Sequence, residues 1–134
     1  MGELNHIAVA VDAIIIKEDK ILLVKRGNNP FKNHWALPGG FVNIGESIEE
    51  AVLREIGEET SLTASITKLI GVYSKPDRDP RGQVISIVFS LKANGTPKAE
   101  DDASETRYFS KEEMQGLDLA FDHKDIIFDY WSKN

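Results

Sequence analysis

The sequence predicts an α/β domain, a mixed β-sheet with helices on its faces. Three observations predict it. Apolar runs of strand length recur along the chain, a strongly capped amphipathic helix sits near the centre, and apolar residues at helical spacing close it. No internal repeat, low-complexity tract or linker divides the 134 residues, so residues 1–134 are read as one domain.

The elements follow in order. "HIAVAVDAIIIK" and "KILLVKR" are two β-rich runs separated by the charged turn "EDK", which predicts a hairpin or two neighbouring strands. "GNNPFKNHWALPGGFVNIGES" is rich in Gly, Asn and Pro and reads as loop, with short extended pieces around Ala36 and Phe41. A stretch this long and irregular inside a small domain is usually functional. The helix over 47–60 opens on Ser47 with Glu50 three residues later, a capping box. "ASITKLIGVYSK" and "GQVISIVFSLKA" are further strands, split by the turn-rich "PDRDPRG". The charged "KAEDDASETRYFS" leads into a short strand, and Ser110 with Glu113 forms a second capping box. In "DHKDIIFDYWSK", Ile126, Ile127, Tyr130 and Trp131 lie at helical spacing behind Asp122 as N-cap.

Composition narrows the function classes. With 41% apolar and 28% charged residues the chain is ordinary globular material. The absence of cysteine removes disulfides, thiolate nucleophiles and cysteine-ligated metals, and a reducing cytoplasm is the expected setting. The N-terminal apolar run follows an acidic residue, is broken by Asp12 and has no basic lead-in, so neither a signal peptide nor a membrane span is read there. A net charge of −6 without a basic patch argues against nucleic-acid binding. A phosphorylated substrate would need local positive charge, and a bound metal is the obvious source.

The glutamates of "REIGEETSL" are the anomaly. Wound at about 100° per residue, the helix puts Ile48, Ala51 and Val52 on one face, and the same meridian continues into Glu55 and Glu59. Glu50, Arg54 and Glu58 are spaced as an exposed ion-pair ladder, which leaves Glu55 and Glu59 unexplained. Two inward carboxylates with no basic residue of the helix beside them would repel each other and lose hydration. A hard divalent ion such as Mg²⁺ resolves this; so would a helix that turns its second half into solvent. The preceding "PGGFVNIGE" adds glycines that admit close backbone approach to a metal or phosphate.

At this point the sequence resembles a known family. Gly40, five residues, Glu46, seven residues and then "REIGEETSL" is similar to the Nudix box of hydrolases that cleave nucleoside diphosphates linked to another moiety, across 23 consecutive residues. The resemblance implies that Glu55, Glu58 and Glu59, with the backbone carbonyl of Gly39, bind Mg²⁺ or Mn²⁺. It implies that Arg54 holds the glutamates by ion pairing and that Glu46 braces loop and helix. The implied fold is an α/β/α sandwich around a mixed sheet, and the family often forms homodimers. One position departs: the pattern expects glycine at 61, where the helix exits left-handed, and this chain has Ser61. That costs about 1 kcal/mol. Gly57, opposite the core face, costs roughly as much relative to alanine and has no functional explanation.

The segment "GVYSKPDRDPRGQVISIVF" resembles the ADP-ribose pyrophosphatase branch, in which a proline lies about fifteen residues past the box glycine; Pro76 stands there. A plain turn accounts for Pro76 and Pro80 equally well. Arg78 and Arg81 are candidates for phosphate or ribose contacts, with Asp77 and Asp79 accepting from hydroxyls or orienting those arginines. Arg26 is a further phosphate candidate. Phe31 and Trp35 have the shape to stack on a base, although Trp35 reads better as core. His6, His34 and His123 show no metal-ligand spacing and are assigned no role. The expected chemistry is metal-assisted attack of water on a diphosphate, with a carboxylate taking the proton. Glu59 leads as that base, and "AEDDASE" offers Glu105 or Asp102 foremost, beside Glu100 and Asp101. The expected substrate is a small nucleotide, ADP-ribose first, giving AMP and ribose 5-phosphate. The alternatives are a nucleoside triphosphate pyrophosphatase and a non-catalytic ADP-ribose sensor; intact box glutamates and the lack of room for a DNA-binding module speak against the sensor.

Overall fold

The apolar runs form strands where their patterns predict them. A computed structural model describes residues 6–100 and 102–133; Asp101 of the acidic loop lies outside the described residues. Strands β1 (Ala8–Lys17) and β2 (Lys20–Arg26) are joined by Glu18 and Asp19. Both turn residues have positive φ, 53° and 62°, as a two-residue hairpin whose twist matches its strands requires. The short extended pieces are β3 (Trp35–Ala36) and β4 (Gly39–Phe41), and the later runs are β5 (Thr63–Tyr73), β6 (Val84–Asn94) and β7 (Ala103–Phe109). Helix α1 covers Ile48–Thr60, α2 Lys111–Met114 and α3 His123–Lys133.

The sheet is mixed, in the order β3-β2-β1-β6-β5, with β4 also on β1 and β7 also on β2. Strand β1 runs parallel to β6 from Ala8 opposite Val84 to Ile15 opposite Leu91. Its pairing with β2 is confined to the hairpin end, at Ile16 with Ile21 and Lys17 with Lys20. Farther along, β4 takes that edge of β1, with Asp12 opposite Gly39 and Ala10 opposite Phe41. The two strands of the hairpin therefore diverge, and a cleft opens where they part.

Alternation along β1 divides the core. Val11, Ala13 and Ile15 pack with Ala51, Val52 and Ile56 of α1, whereas Ile14 packs with Ile126 and Ile127 of α3. This is the predicted α/β/α arrangement. Among the described residues no helix is long and apolar enough to cross a membrane.

Both predicted capping boxes are formed, at Ser47 with Glu50 and at Ser110 with Glu113. Asp122 stands directly before α3, where its carbonyl accepts from the Ile126 N–H at 3.2 Å, while its carboxylate takes two hydrogen bonds from Arg78. At the exit of α1, Ser61 is left-handed, φ 62° and ψ 12°, at the position where the family pattern has glycine. Its hydroxyl donates to Glu100 at 2.5 Å, a partial compensation. Nothing lies within 4 Å of a methyl group placed on Gly57. Gly57→Ala should therefore stabilise the protein by about 0.8 kcal/mol, and Ser61→Gly by about 0.5 kcal/mol, both read as rises in the urea midpoint. A fall in the midpoint for Gly57→Ala would mean that the open space beside the helix is filled by a partner.

Candidate metal and nucleotide site

Helix α1 brings its second half to the cleft with Glu55 and Glu59 facing inward. Arg54 sits at the edge of this pair and holds several acids at once. It donates to Glu46 at 2.6 and 3.0 Å, to Glu55 at 2.6 Å, to Glu58 at 3.0 Å and to the Phe41 carbonyl at 3.0 Å. The expectation that no basic residue of the helix would stand beside the inward carboxylates is thus corrected for Glu55. It holds for Glu59, whose described hydrogen-bond partner is the Gly39 N–H at 3.0 Å.

The electrostatics separate the glutamates. Burial pushes the Glu59 carboxyl well above its usual range, and the charges of Glu55 and Asp12 push the same way against the Gly39 N–H and Arg26. Burial also raises Glu55, although Arg54 opposes it. Glu46 is lowered, chiefly by its hydrogen bond to Arg54. Glu58 is more exposed, at 47% of its side chain, and shares the Arg54 Nη1 with Glu55.

Strand β4 closes against these carboxylates because it carries glycines. A Cβ on Gly40 would lie 2.7 Å from the Glu55 carboxyl carbon, and one on Gly39 would lie 2.1 Å from the Val11 carbonyl oxygen. Close approach of backbone makes glycine obligatory at 39, and at 40 any side chain would displace the Glu55 carboxylate.

The cleft has a volume of about 360 Å³ and is lined by Glu55, Glu59, Gly39, Arg26, Arg81 and Asp102 among others, a size usual for small-molecule sites. Arg26 has a lowered pKa because of burial and the nearby Arg81 charge, with Glu59, Asp79 and Asp102 offsetting part of the shift. The Arg81 guanidinium lies 4.7 Å from the Phe41 ring centroid and 5.6 Å from that of Phe121. Asp79 orients it, accepting from its backbone N–H and both sides of its fork.

The remaining predicted site residues divide between the cleft and its surroundings. Arg78 lines the cleft, but its side chain is 4% exposed and forked onto Asp122, so it ties the "PDRDPRG" loop to the start of α3. Asp77 is exposed and outside the cleft lining. Asp102 sits at the rim and accepts from Asn28 at 3.0 Å. Glu105 is 59% exposed beside Lys25 at 3.9 Å and does not line the cleft. Trp35 belongs to the core, edge-on to Phe109, while Phe31 packs edge-on against Phe121.

Sequence reasoning missed the floor of the cleft. Asp12 and His123 line it and are buried there, with Ser86 donating to Asp12. Burial alone would raise the Asp12 carboxyl, but His123, Ser86 and Arg78 outweigh it and the net shift is downward. The available signal was Asp12 itself, a carboxylate interrupting an apolar strand.

The NUDIX domain family matches residues 6–130. The chain belongs to the Nudix family. An ADP-ribose pyrophosphatase of Methanocaldococcus jannaschii is 60% identical over 126 residues, covering 93% of this chain and 73% of the relative. The Nudix domain of Shewanella oneidensis NrtR, solved in complex with ADP ribose, superposes with a TM-score of 0.87 at 26% identity, over 97% of this chain and 90% of that one. A bifunctional NMN adenylyltransferase/ADP ribose pyrophosphatase of Francisella tularensis, complexed with AMP and a Mn ion, gives 0.85 at 32% identity. It is matched over 98% of this chain but 43% of its own length, so the Nudix chain here spans under half of that enzyme.

The donor set of this Nudix box fits a divalent cation. Glu55 and Glu59 are half-buried oxygen donors whose proton affinities are raised by burial and, for Glu59, by the neighbouring carboxylate, and a hard cation relieves both costs. No group of three or more acidic or histidine side chains converges among the described residues. A hard cation held there would draw further ligands from backbone oxygens, waters or substrate phosphates.

Proposed function

We propose that this Nudix protein is a Mg²⁺-dependent ADP-ribose pyrophosphatase that releases AMP and ribose 5-phosphate. The observation that carries the reading is one cleft in which Glu55 and Glu59 meet the arginines Arg26 and Arg81. The archaeal ADP-ribose pyrophosphatase at 60% identity supports the choice of substrate. A metal ion at Glu55 and Glu59 would neutralise the diphosphate and acidify a water. Arg26 and Arg81 supply the remaining positive charge at the cleft, Arg81 with its guanidinium held in place by Asp79. Glu59 is the preferred proton acceptor, because its carboxylate lines the cleft and is held there by the Gly39 N–H. Asp102 at the rim is the alternative base, better placed than Glu105. A cytoplasmic setting and a homodimer belong to the same proposal, supported by the lack of cysteine and by the exposed Leu69 and Val72 on the edge strand β5.

The test is a comparison of kcat/KM with Mg²⁺ across ADP-ribose, NADH, diadenosine polyphosphates and nucleoside triphosphates, with products resolved by chromatography. ADP-ribose should rank first. Preferential release of pyrophosphate from a triphosphate would keep the metal site and overturn the substrate.

A further inference from the structure

His123 touches neither glutamate of the site, yet it fixes the segment that meets one of them. The Leu37 N–H can only donate, and it donates to His123 Nδ1 at 3.0 Å. The ring proton of the neutral imidazole is therefore on Nε2, which lies 3.6 Å from Asp12 Oδ1. Ser86 holds Asp12 from the other side. Two residues beyond Leu37, the Gly39 N–H goes to Glu59 at 3.0 Å. Pro38 between them has no N–H, and its carbonyl accepts from Ala13 at 2.9 Å. The segment Leu37 to Gly39 thus has two backbone donors, one tied to α3 through His123 and one to α1 through Glu59. There is no slack in the packing, since a Cβ on Gly39 would lie 2.5 Å from Asp12 Oδ1.

We propose that His123 is a positioning residue for the metal-binding edge of the cleft. As the Nε2–H tautomer, backed by Asp12 and Ser86, it holds Leu37 and so sets where the Gly39 backbone stands against Glu59. The inference rests on the reading of Gly39 and Glu59 as metal ligands. Partners that orient the groups around a metal commonly change its affinity when removed, and His123 would do so through the backbone.

Two variants of equal polarity test it. In His123→Asn the side-chain oxygen falls near the position of Nδ1 and keeps the Leu37 bond; in His123→Gln it falls near Nε2 and does not. Mn²⁺ binding is titrated by the electron paramagnetic resonance of the free ion, with circular dichroism to verify folding. His123→Asn should bind Mn²⁺ within about threefold of the wild type, and His123→Gln should bind about tenfold more weakly. With ADP-ribose at saturating Mn²⁺, His123→Gln should lower kcat with little change in KM. Equal Mn²⁺ affinity in the two folded variants would overturn the positioning role, as would a wild-type ¹⁵N spectrum with the proton on Nδ1 at neutral pH. That spectrum decides the matter if either variant fails to fold. A wild type that binds no Mn²⁺ would instead overturn the site reading on which the inference stands.

Discussion

Glu59→Gln should lower turnover by about 10³-fold, the scale expected when a positioned proton acceptor is removed, while leaving the fold intact. The glutamine oxygen keeps the Gly39 N–H bond that the carboxylate makes now, so β4 should stay in place. The same substitution should raise the melting temperature of the metal-free protein at neutral pH. The sign follows from linkage: the folded-state pKa of Glu59 is raised by burial and by Glu55, so folding favours the protonated form. The stabilisation linked to that proton is complete below the ordinary carboxylate value of 4.5 and is lost as pH rises through the raised value. Metal-free wild type should therefore lose stability across that window, and Glu59→Gln should show a flatter profile there. Adding Mg²⁺ should restore the wild type and release protons, but leave the variant little changed. Unaltered turnover in Glu59→Gln would remove Glu59 from the site.

Arg78→Ala should cost about 2 kcal/mol of stability, because it removes a buried guanidinium and leaves the partly buried Asp122 carboxylate unpaired. Arg78 is forked onto Asp122 at 2.9 and 2.7 Å, and its charge also helps hold the buried Asp12 ionised. Arg81→Lys should behave oppositely. A cation remains beside Asp79, so stability should change by about 1 kcal/mol, while the loss of the planar guanidinium and of its stacking on Phe41 should raise KM for ADP-ribose about tenfold. Urea denaturation and steady-state kinetics on the two variants separate a residue that holds the loop from one that faces the substrate. Similar stability in both would contradict the division.

The contrast between these two arginines marks what local pattern reveals. Strands β1 and β2, helix α1 and both capping boxes were legible because each rests on neighbours in sequence. The inward direction of Glu55 and Glu59 was legible from helical winding alone, and winding also set Glu58 to one side, where the structure places it beside Arg54. The ligand role implied for Glu58 came from the family resemblance, and winding alone carried no sign of it. Arg78 and Arg81 look alike in "PDRDPRG", and only the approach of Asp122 distinguishes them. Asp12 and His123 were out of reach for the same reason: they meet across the sheet from opposite ends of the chain, and neither carries a local signature of its partner. The parity of β1 makes the meeting intelligible afterwards, since Asp12 shares the face of Ile14 that packs toward α3.

The most direct test of a metal-dependent ADP-ribose pyrophosphatase is to hold the purified chain with ADP-ribose, once with Mg²⁺ and once with a chelator, and follow the nucleotide by chromatography. AMP and ribose 5-phosphate should accumulate in equal amounts with Mg²⁺ and stay absent with the chelator. ADP-ribose that binds in the presence of Mg²⁺ and is recovered intact would contradict the enzyme and make the protein a sensor.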